Sequence, residues 1–214
     1  MNERPEGEPR PAATVILLRD GDAGIEACLA RRNLEARFMP GVWVFPGGAV
    51  DSGDGSSAEA AHRSCAVREL AEEVGIEVSE SMLVAFSRWI TPREVPVRFD
   101  TRFYLAPAPT DAEPIPDGSE VIDAGWFAPA TALERHGAGE LELVFPTIKH
   151  LEALVDLSSV EEALGAAEAV EVRPVEPRLE VEGEEVRVVI DPIDSDQPGT
   201  HRSAVDQAPP PGEA

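Results

Sequence analysis

Apolar residues cluster along the first half of the chain in short runs broken by Gly, Asp and Pro, the pattern of strands joined by sharp turns. Residues 12–18 and 24–30 are apolar stretches on either side of Asp20-Gly21-Asp22 and together predict a β-hairpin. Residues 42–45 predict a third strand, which runs directly into Gly47-Gly48. The period then changes. From Ala58 the apolar positions follow helical spacing, with Ser57 placed to cap the start and Gly75 placed to close the end. At about 100° per residue, Val67, Leu70, Ala71 and Val74 share one arc of this helix, and Glu69, Glu72 and Glu73 share the arc facing away.

Beyond the helix, residues 82–90 and 97–105 are rich in apolar and aromatic side chains and predict two strands, separated by Thr91-Pro92-Arg93. Residues 120–127 predict another strand, followed by helices over 129–135, 147–154 and 160–169. Residues 186–190 have strand character within a Pro- and Glu-dense surround. Strands interleaved with helices indicate an α/β chain. One domain is expected over 12–193, between a disordered N-terminus at 1–11 and a disordered, Pro-rich tail at 194–214.

Composition narrows the function. The formal net charge is −23 over 214 residues, and Lys149 is the single lysine. Such a surface repels nucleic acid and anionic membrane, both of which bind through Lys and Arg. Neither is expected as a partner. The first eleven residues lack an apolar core and do not read as a secretory signal, and no run approaches the roughly 18 apolar residues of a spanning helix. Cys28 and Cys65 are too few for a disulfide framework and fit buried thiols in a reducing compartment. These features together predict a soluble, cytoplasmic protein.

The acidic helix carries the candidate chemistry. Glu69, Glu72 and Glu73 repel one another at their spacing, and only Arg68, four residues before Glu72, offsets this locally. A solvated helix face would explain them, but Phe45-Pro46-Gly47-Gly48 upstream changes the picture, because paired glycines allow a tight turn or a close backbone approach to a ligand. Three carboxylates on one face behind such a segment suit a hard divalent cation.

Residues Arg68-Glu69-Leu70-Ala71-Glu72-Glu73-Val74-Gly75-Ile76 resemble the second half of the Nudix hydrolase signature, Gly-x5-Glu-x7-Arg-Glu-apolar-x-Glu-Glu-x-Gly-apolar, without exception. The first half departs from it: with Gly48 as the first glycine, Asp54 stands where the signature has Glu, and thirteen residues in place of seven separate it from Arg68. The resemblance implies a mixed sheet sandwiched between helices, an α/β/α arrangement. It also implies Mg²⁺ or Mn²⁺ as cofactor, held by Glu69, Glu72 and Glu73. Glu72 and Glu73 would be the principal ligands and Glu69 a further ligand or a base behind them; Arg68 would orient a carboxylate, and one of these glutamates or a later acid such as Glu120 would activate water. Many members are dimers, which leaves a homodimer open.

The substrate is suggested by a second resemblance. Cys28-Leu29-Ala30-Arg31-Arg32-Asn33, then Arg37, Gly41 and Phe45-Pro46-Gly47-Gly48, keeps the spacing of the extra signature of Nudix coenzyme A diphosphatases, with Cys28, Ala30 and Asn33 replacing Leu, Thr and Ser. Residues 38–48 with the enlarged loop after them, and residues 89–92 and 98–103, are similar to the peroxisomal-type branch and its bacterial relatives. The resemblance implies a CoA-like nucleoside diphosphate substrate bound by Arg32, Arg37, Gly47 and Gly48; Arg93, Arg98 and Arg102, three arginines in so acidic a chain, either line a phosphate-binding cleft by focusing its field or are surface charges. An ADP-sugar, a dinucleotide or a nucleoside triphosphate remains the alternative substrate, and a non-catalytic nucleotide-binding domain the alternative role. The four histidines, His62, His136, His150 and His201, show no metal-ligand spacing.

Overall fold

Period-2 alternation in the first strands sets the layering. In strand β1 (Arg10–Gly21), Ile16 and Leu18 point to one face of the sheet, and Ala13, Val15 and Leu17 to the other. Strand β2 (Gly24–Arg32) divides the same way, with Ile25, Ala27 and Leu29 opposite Cys28 and Ala30. Each face therefore needs its own cover, and helices supply both. The computed structural model describes residues 7–22, 24–182, 185–194 and 196–200.

The remaining elements are β3 (Trp43–Val44), β4 (Gly47–Ala49), α1 (Ala58–Val74), β5 (Val84–Ile90), β6 (Phe99–Pro107), β7 (Val121–Phe127), α2 (Pro129–Gly137), α3 (Phe145–Leu154), α4 (Val160–Glu168), β8 (Pro174–Val175), β9 (Arg178–Glu182) and β10 (Glu185–Val189). The main sheet runs β3-β2-β1-β6-β5-β8, with β4 paired to β1 and β7 to β2. It is mixed, since β1 runs parallel to β6 and β8 parallel to β5, while the other pairs are antiparallel. Strands β9 and β10 form a separate antiparallel hairpin.

Helix α1 covers one face with Cys65, Ala66, Leu70 and Val74, while α3 and α4 cover the other with Ile148, Leu151, Leu154 and Ala163. The α/β/α sandwich expected from the sequence is the observed fold. Along β1, β6 occupies one edge from Arg10 to Leu18, so β4 and β2 must share the other. Strand β2 pairs there from Leu18 onward and β4 from Ala12 to Thr14. That division brings β4 against α1, and the candidate site forms between them.

Several sequence expectations shift. The chain is already paired at Arg10 and Pro11, opposite Phe99 and Asp100, so the domain starts before residue 12; residues 1–6 of the expected disordered N-terminus lie outside the described residues. At the other end, Gln197 and Thr200 are buried, and the Gln197 side chain accepts from the Arg173 amide at 2.8 Å, so the packed chain continues beyond residue 193. The rest of the expected tail, from 201 onward, lies outside the described residues.

Gly47 and Gly48 are a strand and not a tight turn. Strand β1 approaches so closely that a Cβ on Gly47 would sit 2.4 Å from the Ala13 carbonyl oxygen. Among the described residues, no helix is long and apolar enough to cross a membrane.

Candidate active site

Helix α1 is held at both ends as its sequence requires: the Ser57 hydroxyl accepts from the Ala60 amide at 3.3 Å, and Gly75 takes a left-handed conformation at the end. Its buried stripe is rotated from the expected one. Cys65, Ala66, Leu70, Glu73 and Val74 are buried, so Glu73 lies on the packed side and not on a face turned away. The reason is β4, which runs alongside and places its backbone against the glutamates.

The Gly47 amide donates to Glu73 Oε2 at 2.9 Å. A Cβ on Gly48 would lie 2.5 Å from the Glu69 carboxyl carbon. The two glycines thus let backbone and carboxylates meet without intervening side chains.

The three glutamates occupy distinct environments. Glu73 is 5 % exposed, and its burial, with the charges of Glu69 and Glu120 adding, pushes its carboxyl up to about 8; the Gly47 bond and Arg32 oppose this. Glu69 is raised by burial as well, against the Arg68 hydrogen bond. Glu72, with its side chain 62 % exposed, faces open space. The two acids contributed most directly by the fold are therefore pressed together in a region that disfavours their negative charge.

Arg68 organises the group. Its Nε and Nη2 donate to the two Asp54 oxygens at 2.9 and 3.0 Å, and its Nη1 to Glu69 at 2.7 Å and Glu72 at 2.9 Å. Asp54 is buried, held well below the usual carboxylate range by Arg68, and also accepts from the Asp51 amide at 2.7 Å. It anchors the arginine and the loop that carries it. Only Gly55, Ser56 and Ser57 separate this anchor from α1, so the extra length falls partly within the first turns of the helix, and the Arg68 fork is intact.

A cavity of about 820 Å³ opens in front of Glu69, Glu72, Glu73 and Arg68. Arg32 and Gly47-Gly48 line it as expected from the sequence. Arg10 and Glu120 line it too, and neither had a strong local signal: Arg10 sits in a Pro- and Glu-rich terminus, and Glu120 in a segment that reads as a solvated turn. Arg37 lies beside it, in a side pocket of about 320 Å³ that also includes Arg32, Asn33 and Glu120.

Arg98 is not brought to this site. Its side chain is 11 % exposed, and its donors go to the Thr91 carbonyl at 3.0 Å, the Gly7 carbonyl at 2.7 Å and Glu176 at 2.7 Å. Arg93 likewise pairs with Glu176, and Arg102 with Glu59. These guanidiniums fasten segments of the fold together, which removes them from the expected phosphate set.

Among the described residues, no three acidic, His or Cys side chains are gathered ready around one point as a metal cage. The cause is visible in the bonding: Glu69 and Glu72 both lean on Arg68, while Glu73 is drawn to Gly47. The donor set is nonetheless all oxygen, partly buried and short of counter-charge, which fits a hard divalent cation.

Comparison with known proteins agrees with this geometry. The model of the NUDIX domain matches residues 8–145. The chain belongs to the Nudix family. A Nudix hydrolase structure from Alicyclobacillus acidocaldarius aligns with a TM-score of 0.67 at 30 % identity, covering 74 % of this chain and 96 % of that one.

Among curated Nudix relatives, "Putative nudix hydrolase 7" from Caenorhabditis elegans is 29 % identical over 182 residues, covering 68 % of this chain and 60 % of that protein. The NAD-capped RNA hydrolase NudC of Pseudomonas aeruginosa is 32 % identical over 114 residues, covering 53 % of this chain and 34 % of NudC. The match thus spans less than two thirds of either curated relative. The Nudix domain of Shewanella oneidensis NrtR, solved with ADP ribose, shares the fold at 20 % identity and a TM-score of 0.55.

Proposed function

We propose that the protein is a Mg²⁺- or Mn²⁺-dependent pyrophosphohydrolase that cleaves the diphosphate of CoA or acyl-CoA to 3′,5′-ADP and 4′-phosphopantetheine or its acyl form. The observation that carries the substrate is the side pocket. Arg32 lines both it and the main cavity, and Arg37 stands in it without an ion pair among the described residues. A second phosphate on the nucleotide half can be gripped there while the diphosphate lies against the glutamates. Arginine suits that task because its fork matches phosphate oxygens.

Glu69, Glu72 and Glu73 would hold the cation, which when bound supplies charge neutralisation for the diphosphate and makes an attacking water more acidic. Arg68, fixed by Asp54, positions Glu69 and Glu72. Glu69 or Glu120 takes the proton from the attacking water, both being at the cavity wall. Arg10 and Arg32 orient the phosphates, and Gly47-Gly48, without side chains of their own, let β4 sit between β1 and the Glu69 and Glu73 carboxylates at the cavity wall.

A second reading takes an NAD-type or ADP-ribose-type diphosphate as the substrate. It is favoured by the similarity to NudC over about half of the chain. Hydrolysis of CoA, ADP-ribose and NADH measured side by side distinguishes the two. A higher kcat/KM for CoA, lost on Arg37→Ala but retained for ADP-ribose, supports the first reading; no preference for CoA overturns it.

A further inference from the structure

The cavity does not end at the glutamates. It continues between the loop joining β5 to β6, the start of α3, and the C-terminal hairpin of β9 and β10. Val95 comes from the first, Val144 and Pro146 from the second, and Pro177, Leu179 and Val188 from the third. No side chain among these six carries a hydrogen-bonding atom. Of the polar residues in the same wall, Thr91 Oγ1 accepts from the Phe99 amide at 3.0 Å and His136 Nδ1 lies 3.0 Å from the Leu141 carbonyl oxygen, while the buried Trp89 Nε1 is left without a hydrogen-bond partner among the described residues.

The hairpin is fastened over this end. Glu176, two residues before β9, pairs with Arg98 at 2.7 Å and Arg93 at 3.0 Å, both from the β5–β6 loop. Arg98 is also anchored to the Thr91 carbonyl at 3.0 Å. The apolar wall is therefore built from distant parts of the chain and tied by the largely buried Arg98–Glu176 pair, with exposed Arg93 as a second partner of Glu176. A nucleobase lodged there could meet the Trp89 N–H with one acceptor and would leave the rest of its polar edge unpaired, which is costly away from water. A flexible aliphatic chain carries no such edge.

We propose that this end of the cavity is an aliphatic chamber, which receives an unbranched acyl chain carried on the non-nucleotide side of the diphosphate. Leu179 and Val188, held in place by Glu176, set how long a chain is accepted. The orientation of the chain rests on the diphosphate-hydrolase reading, but the chamber itself can be tested without catalysis. The ligands are butanoyl, octanoyl and dodecanoyl thioesters of pantetheine, which lack a diphosphate, titrated calorimetrically into the metal-free protein.

Affinity is expected to rise roughly two- to fourfold per added methylene while the chamber fills, from the transfer free energy of a buried CH₂. Leu179→Asp and Val188→Asp should flatten this dependence, and Glu176→Gln should weaken binding of the longer chains most. Leu179→Ser provides a milder wall variant should an aspartate unfold the hairpin, with circular dichroism confirming the fold of each protein.

Unacylated CoA should be hydrolysed by these variants at the rate of the parent protein. A flat chain-length series in the parent protein, or an undiminished one in folded wall variants, overturns the chamber. A length-dependent series in a protein that does not hydrolyse CoA upholds the chamber and removes the CoA reading alone.

Discussion

Replacing Asp54 by alanine should destabilise the fold by about 2–3 kcal/mol. Arg68 makes two charge-assisted hydrogen bonds to Asp54, whose side chain is only 6 % exposed. Breaking one partner of such a buried pair costs about 3–5 kcal/mol when the remaining charge is stranded. Here Arg68 keeps Glu69 and Glu72 and is partly solvated, so the cost falls at or just below the low end of that range. For a domain of this size that corresponds to a fall in Tm of roughly 4–12 °C.

Asp51 provides the internal control. It lies 3.9 Å from Arg68 with its side chain 77 % exposed, and Asp51→Ala should cost no more than about 0.5 kcal/mol. Denaturant unfolding of the two variants, of Arg68→Ala and of the Asp54/Arg68 double variant gives the coupling energy directly. An Asp54→Ala cost no larger than that of Asp51→Ala, or a coupling near zero, would refute the view that Asp54 anchors the glutamate-bearing helix.

Four further outcomes follow from the same geometry. His150 is buried among Phe45, Phe86, Trp89 and Phe103, its Nε2 lies 2.6 Å from Ser87 Oγ, and burial pushes its pKa down to about 3. The unfolded chain binds a proton there from pH ~6.5 downward while the folded one does not. Stability should therefore be intact above that pH and fall by up to ~1.4 kcal/mol per unit toward pH 3. Urea midpoints across that range check this, and a His150→Leu variant with the same slope would count against it.

Glu73→Gln should retain the fold by circular dichroism and lose roughly a hundredfold or more in metal-dependent turnover; persistence of turnover would remove Glu73 from the site. Gly48→Ala would place a Cβ 2.5 Å from the Glu69 carboxyl carbon, and should lower Tm by an overpacking cost of about 1–3 kcal/mol while also reducing turnover. Mn²⁺ at about a hundred times its Kd should stabilise the protein by ~2.7 kcal/mol, an increment that Glu72→Gln and Glu73→Gln together should abolish in a thermal shift assay.

Where structure followed local pattern, the sequence was readable. The β1–β2 hairpin declares itself through alternation on both sides of Asp20-Gly21, and α1 through Ser57 and Gly75 at its ends. The strand content of Gly47-Gly48 carries no such mark, because it comes from β1 approaching a backbone that has no side chains in the way. Strand β9, with the charged sequence Arg178-Leu179-Glu180-Val181-Glu182, lacks an apolar run and takes its form from pairing with β10. The glutamates were legible as a set, but not their burial, since only packing against β4 decides which side of the helix is covered.

The arginines show most clearly what sequence leaves open. Arg32, Arg68, Arg93 and Arg98 are chemically alike and all sit near motifs, yet their roles are decided by acids far away in the chain. Asp54 claims Arg68 across 14 residues, and Glu176 claims Arg98 across 78. What remains at the cavity is a wall with Asp51, Glu69, Glu72, Glu73, Glu120 and Glu142 against Arg10, Arg32 and Arg68, six formal negative charges against three positive.

A diphosphate entering such a wall meets net repulsion, since like charges a few ångströms apart in a partly dry site repel by several kcal/mol. Arginine alone does not resolve this, because the Asp54 fork has already claimed much of Arg68. A divalent cation between the glutamates and the diphosphate would change the sign of the interaction for both. Metal and substrate binding at this site should therefore be mutually reinforcing, by the same factor in each direction. On this view the acidic wall is the element that makes diphosphate binding conditional on metal, and Arg10, Arg32 and Arg37, which form no ion pair among the described residues, provide the metal-independent part of substrate recognition.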